Sequence, residues 1–191
     1  MNAEVKGDTE MQHQSPVVLM NRGLLAAVVA VAVVVLAVTE TRADPEPIAA
    51  EPLTERHAFD GEVSIAITQQ LEGLSREDIS HEDASYLTVM QFTIQPGAVF
   101  PWHTHPGTVL VNVTQGDFVF MFAEDCVGRE YGPGDALVDP GDTVHTAYNP
   151  STEQETVITA VFVGVPEEGE LTIPVDEARS AALDDECGIE R

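Results

Sequence analysis

His103-Thr104-His105 and His145 are the residues of this 191-residue chain whose types and spacing point to chemistry. On a strand, residues two apart face the same side, so the first two imidazoles would stand together. Pro101 and Pro106 stiffen the backbone on either side of the pair. His145 follows about 40 residues later, just after Pro140-Gly141-Asp142, and two hairpins can fold it back toward the pair. Three converging imidazoles suit Zn, Cu, Ni or Fe. Spacing alone also fits a solvated strand, where an H-x-H pair occurs without a metal, and both readings stand at this point. His13, His57 and His81 carry less weight. His13 precedes an apolar run, His57 lies in a proline-rich stretch, and His81 beside Glu82 and Asp83 is expected at the surface.

The elements that must position these side chains read as strands. Val63, Ile65 and Ile67 alternate with smaller or polar residues, as in a half-buried strand. Tyr86 to Gln95 is rich in β-branched and aromatic residues, and Pro96-Gly97 ends it. Val109–Thr114, the turn Gln115-Gly116-Asp117 and Phe118–Ala123 form a hairpin signal. Short strands over Ala136–Val138 and Thr156–Val163 follow, separated by Gly/Pro turns. Ser75–Asp83 and Pro174–Leu183 are the only helix candidates. Many short strands at regular spacing predict an all-β sandwich or barrel, and the lack of repeats predicts one barrel. Met90, Phe92, Phe118, Phe120, Met121 and Phe122 are expected in its core, while Asp135 and Asp139 are expected to serve turns.

Composition narrows the partners. The net charge is -25, from 33 acidic and 8 basic residues, with Lys6 the only lysine. Nucleic acid is excluded as a partner, because phosphate binding needs clustered Lys and Arg. The acidity reads as a self-repelling, soluble surface, and adaptation to high salt is the sharper version of that reading.

Leu24 to Val38 is an uncharged run of Leu, Ala and Val, short for a membrane span and at the upper end of a signal-peptide core. Arg22 precedes it and Thr41-Arg42-Ala43 follows. Residues 1–43 are therefore expected to be a signal peptide cleaved after Ala43, with an uncleaved anchor as the alternative. A translation start at Met20 would make the leader compact. Either version places the rest outside the cytoplasm, secreted or held at the cell surface, with membrane contact only through this segment. Residues 44–60, with Pro45, Pro47 and Pro52 among acidic residues, predict a flexible linker. The barrel is expected over 61–175 and a tail over 176–191. An even pair of cysteines in an exported chain, Cys126 and Cys187, predicts one disulfide tying that tail down, with two free thiols as the alternative.

Gly97-(five residues)-His103-x-His105-(ten residues)-Gly116 resembles the first motif of the cupin superfamily. Gly134-Asp135-(four residues)-Pro140-Gly141-Asp142-(two residues)-His145-(three residues)-Asn149 resembles the second. The resemblance spans roughly Thr88 to Val163. It implies a jelly-roll barrel, preceded here by the signal or anchor helix. It also implies one divalent transition metal (Fe, Mn, Ni, Cu or Zn) on His103, His105 and His145. Small exported cupins with a cysteine in the inter-motif hairpin and another near the C-terminus are similar, which supports Cys126–Cys187. Cupins often pair through their barrels, so a homodimer is expected.

Two positions depart from the pattern. Val109 stands where the family places a glutamate ligand, and Asp142 replaces the glycine after Pro140-Gly141. Three neutral imidazoles would leave the ion its full charge of about +2, favouring open positions for water or an anionic ligand. Gln115 shares strand parity with Val109 and is a candidate for the pocket. Trp102, beside the histidine pair, reads as a packing anchor, with a place at the mouth as the alternative, and Tyr148 or Asp142 are candidates for holding the ligands in place. No nucleophile elbow, phosphate loop or dinucleotide fingerprint is present, and no separate protein nucleophile is expected. The resemblance implies oxygenase-type chemistry on a small substrate, with isomerase, lyase or hydrolytic chemistry as other enzymatic outcomes. The alternative is a non-enzymatic module that binds a metal or small ligand, or senses one.

Overall fold

The computed structural model describes residues 45–190. The leader, its apolar run, the alternative start at Met20 and the cleavage point after Ala43 lie outside the described residues. Among the described residues no helix is long and apolar enough to cross a membrane.

Thirteen strands and one helix make up the described chain: β1 (Ile48–Pro52), β2 (His57–Ala58), β3 (Ile65–Gln69), β4 (Glu77–His81), β5 (Tyr86–Ile94), β6 (His103–Thr104), β7 (Thr108–Gln115), β8 (Phe118–Phe122), β9 (Arg129–Tyr131), β10 (Ala136–Asp139), β11 (His145–Tyr148), β12 (Thr156–Val165), β13 (Ile173–Pro174) and α1 (Glu177–Cys187). One sheet runs β1-β5-β12-β7-β10, with β2 also on β5, and the second runs β13-β6-β11-β8-β9. Strands β3 and β4 form a separate hairpin. All pairings are antiparallel.

Alternation builds the core between the two sheets. Val109, Val111 and Val113 of β7 point inward with Ile158, Ala160 and Phe162 of β12. Phe118, Phe120 and Phe122 of β8 and Ala147 of β11 meet them from the second sheet. Strand β8 is buried on both faces. Its Met121 points outward into a second cluster with Trp102 and Leu183, which α1 covers. The helix begins at Asp176, whose side chain accepts the Arg179 N–H, and ends at Gly188 in the left-handed conformation.

Three sequence expectations change. The stretch 44–60, read as a flexible linker, supplies β1 and β2, with Ile48 packed on the core. Its prolines are tolerated because β1 is an edge strand, where a missing N–H costs no ladder bond. Ser75–Asp83, a helix candidate, contains β4 instead. Ile79 is its one large apolar residue, too little for a buried helical stripe, whereas pairing with β3 satisfies its backbone. The second helix candidate does become α1, displaced toward the C-terminus. His81 is half-buried rather than a free surface residue. Its Nε2 lies 2.8 Å from the Thr108 hydroxyl, which donates to the Pro140 carbonyl.

Cys126 and Cys187 are bonded across 61 residues, fastening α1 to the turn after β8. The Trp102 indole N–H donates to Asp184 at 2.8 Å beside the same junction. In the chain-entropy account, a closed loop of this length contributes up to about 4 kcal/mol of stability. Cys126→Ser/Cys187→Ser should therefore lower the denaturant midpoint, by a stability loss of up to about 4 kcal/mol. An unchanged midpoint would show that the tail is held without the bond.

Candidate metal centre

The site forms where the two sheets open at one end. Strand β6 pairs with β11 in a register that places His103 opposite His145. Beyond β6 the chain turns, and the His105 N–H donates to the Gly141 carbonyl at 2.6 Å. Gly141 has φ +102, and a Cβ there would collide with the Gly107 carbonyl. This close approach brings the loop carrying His105 onto the loop that follows β10. Asp142 is absent from the left-handed residues, so its replacement of the family glycine costs no strain.

The three imidazoles converge. Their ring centroids lie 4.2 to 5.1 Å apart, and their candidate ligand nitrogens lie within 4.8 Å of one another. All three side chains are nearly inaccessible to solvent. Each ring has its Nδ1 against a backbone carbonyl: His103 against Pro101 at 2.6 Å, His105 against Leu171 at 2.6 Å, and His145 against Thr143 at 2.9 Å. A carbonyl only accepts, so each Nδ1 carries a proton and each Nε2 is the ring atom turned toward the shared space. Phe120 stacks on His145 at 4.9 Å and Phe162 meets His105 edge-on at 5.3 Å, which further restrains the rings. This donor set fits a divalent transition metal: three neutral nitrogens, oriented by hydrogen bonds on their far sides.

Electrostatics disfavour charge on two of the rings. Burial pushes His103 down to about 3, and the neighbouring imidazoles of His145 and His105 push the same way. Burial also lowers His105, although Asp139 opposes it.

Asp139 is the residue that sequence reading left as a turn former. Its Oδ1 does accept the Gly141 N–H at 2.8 Å, as a turn residue would. Its Oδ2, however, lies 3.0 Å from His145 Nε2 and 3.4 Å from His105 Nε2, with the side chain 2% exposed. Burial pushes this carboxyl up, but hydrogen bonding and charge from His145, with help from His105 and the Gly141 N–H, hold it below the usual carboxylate range. The available signal was parity: Leu137 of β10 faces the core, so Asp139, two residues on, faces it too.

A cavity of about 50 Å³ adjoins the cluster, walled by Phe92, Phe100, Val111, Phe118, Ile158 and Phe162, with Thr172 at its edge. The other sequence candidates lie elsewhere. Trp102 has the opposite parity to His103 and is buried under α1. Tyr148 has the opposite parity to His145, and its hydroxyl faces Gly128. Gln115 shares Val109's parity but stands at the far end of β7, roughly 20 Å along the strand, beside Glu155. Asp142 is exposed and does not line the cavity. Val109 does line it, as a wall residue.

A buried, neutral His103 has a definite consequence for the metal-free protein. The unfolded chain takes up a proton near pH 6.5 while the folded site resists it down to about 3. Stability from this group is therefore complete above pH 6.5 and falls as pH drops through that window, by up to about 1.4 kcal/mol per pH unit. Denaturant midpoints measured from pH 7 to 4 should fall for the metal-free protein and fall less for His103→Gln. Equal slopes would contradict the buried neutral state.

Residues 90–162 match the family described as "Cupin domain". No curated protein matches the chain. Solved structures of similar shape include the polyketide cyclase RemF from Streptomyces resistomycificus, 19% identical over 49% of this chain and 63% of that one, with a TM-score of 0.42. A cupin-like protein from Thermotoga maritima is 24% identical over 51% of this chain and 72% of that one, with a TM-score of 0.41. KdgF from Halomonas sp. is 20% identical over 65% of this chain and 86% of that one, also at 0.41. The chain thus spans a little under two thirds of the cyclase's length. The matched segment holds all three histidines and the strands that carry them, and this part of the chain, residues 90–162, is a cupin domain.

Proposed function

We propose that this chain is an exported cupin that binds one divalent transition metal on His103, His105 and His145 and uses it for oxygenase-type chemistry on a small molecule. The observation that carries this reading is the convergence of three imidazoles, each ring held by a carbonyl on its Nδ1 side, beside an apolar cavity. The Cys126–Cys187 bond supports export, since such bonds persist in oxidising compartments.

When bound, the ion (Fe, Mn, Ni, Cu or Zn) would supply Lewis acidity or, if redox-active, a partner for dioxygen. The chain's own residues do the rest. The three imidazoles fix the ion's position, and the aromatic walls exclude bulk water and receive the apolar part of a substrate. No lysine or arginine lines the cavity, so an anionic ligand would be attracted by the ion alone. The small volume, with room for a few waters, favours a second reading, capture of the ion or of a very small ligand without turnover.

Metal analysis of the purified protein tests the reading. The expected result is about one equivalent, absent from His103→Ala and His145→Ala. Iron, copper, nickel or manganese with substrate-dependent oxygen uptake would support the oxygenase. Zinc at that level would retain the site and favour water activation or plain binding. A folded protein that takes up no metal even on reconstitution would overturn the proposal.

A further inference from the structure

We infer that Asp139 is a fourth protein ligand, its Oδ2 binding the same ion as His105 and His145 from the strand beside the vacant glutamate position. The inference rests on the metal-binding reading above and adds a residue to it. Its first support is distance. With metal–ligand bonds of about 2.1 Å, adjacent ligand atoms are about 3.0 Å apart in an octahedron and about 3.4 Å apart in a tetrahedron. The separations from Oδ2 to His145 Nε2 and His105 Nε2, 3.0 and 3.4 Å, lie in the range spanned by adjacent ligand atoms of one ion.

The second support is orientation. His105 and His145 have Nδ1 against the Leu171 and Thr143 carbonyls, so Nε2 is the atom each ring turns toward Oδ2. A single cation between them would touch Oδ2 and both nitrogens.

The third support is register. Asp139 pairs with Val109 across β10 and β7, so the two side chains leave the sheet side by side on the cavity face. A carboxylate from position 139 thus reaches the space that one from position 109 would occupy. Its other oxygen is held by the Gly141 N–H, which leaves Oδ2 as a single, oriented donor.

The consequence is a change in the ligand that the site favours. A carboxylate in the coordination sphere lowers the charge on a divalent ion from about +2 to about +1. That weakens the case for a strongly anionic substrate and favours a neutral molecule or dioxygen.

Cobalt(II) titration of the full protein, followed by visible absorption and by competition with a chelator, tests the inference. Asp139→Asn keeps an acceptor for the Gly141 N–H and removes the anionic oxygen. It should weaken cobalt binding by at least about tenfold and shift the d–d bands, showing a changed ligand set. Adding Val109→Glu to Asp139→Asn should recover affinity and move the bands back, a rescue that a turn-forming role would not give. Wild-type and Asp139→Asn proteins with the same affinity and spectrum would overturn the inference while leaving the three-histidine site intact. A folded wild-type protein that binds no cobalt would overturn both.

Discussion

Three imidazoles can share a buried space only if the proton on each ring has an acceptor, and the site follows from how the backbone provides one. Pro101 and Thr143 each precede their histidine by two residues, so the local chain serves its own ring. His105 is different. Its acceptor is Leu171, 66 residues away, in the segment that leads into β13. That distant carbonyl makes the geometry of the centre depend on the C-terminal segment.

The C-terminal segment is in turn held at several points. Strand β13 pairs with β6, so the strand carrying His103 gains a partner on each side, β11 and β13. Helix α1 then covers Trp102, Met121 and Leu183, with the indole bonded to Asp184 and Cys187 bonded to Cys126. A barrel this small gains from such fastening, because the loop it closes is long. The helix never enters the cavity, yet it holds the chain that orients His105.

Stability and ligand readiness come from the same packing. The aromatic side chains that fill the space between the sheets also stack on His145 and meet His105 edge-on. Excluding water there disfavours the charged imidazolium at His103 and His105. Asp139 is the exception, an acid in that apolar space, and its burial is offset by the imidazoles it faces and the N–H it accepts. At the opposite face of the sheet, polar or partly exposed residues such as Asn112 and Leu110 meet solvent.

The sequence by itself determined the strand pattern, the turns, the pairing of the two histidine segments and the cysteine pair, because each has a local period or a motif of defined spacing. Period two was also enough to place Val109, Val111 and Val113 on one face. It could not say which end of β7 would meet the metal ligands, so Gln115 carried the right parity at the wrong end. Parity did set Trp102 and His103 on opposite faces, but alternation does not name the inner one, and the packing of Trp102 under α1 was decided by the tertiary structure. Residues 44–60 and 75–83 offered weak local signals, and pairing with β5 and β3 decided them. Asp139 shows the limit most clearly. Its turn role depends on a residue two positions on and was legible. Its contact with His105 and His145 exists only because Gly107 and Gly141 let two loops touch and because β10 lies beside β7, and no local pattern encodes that proximity.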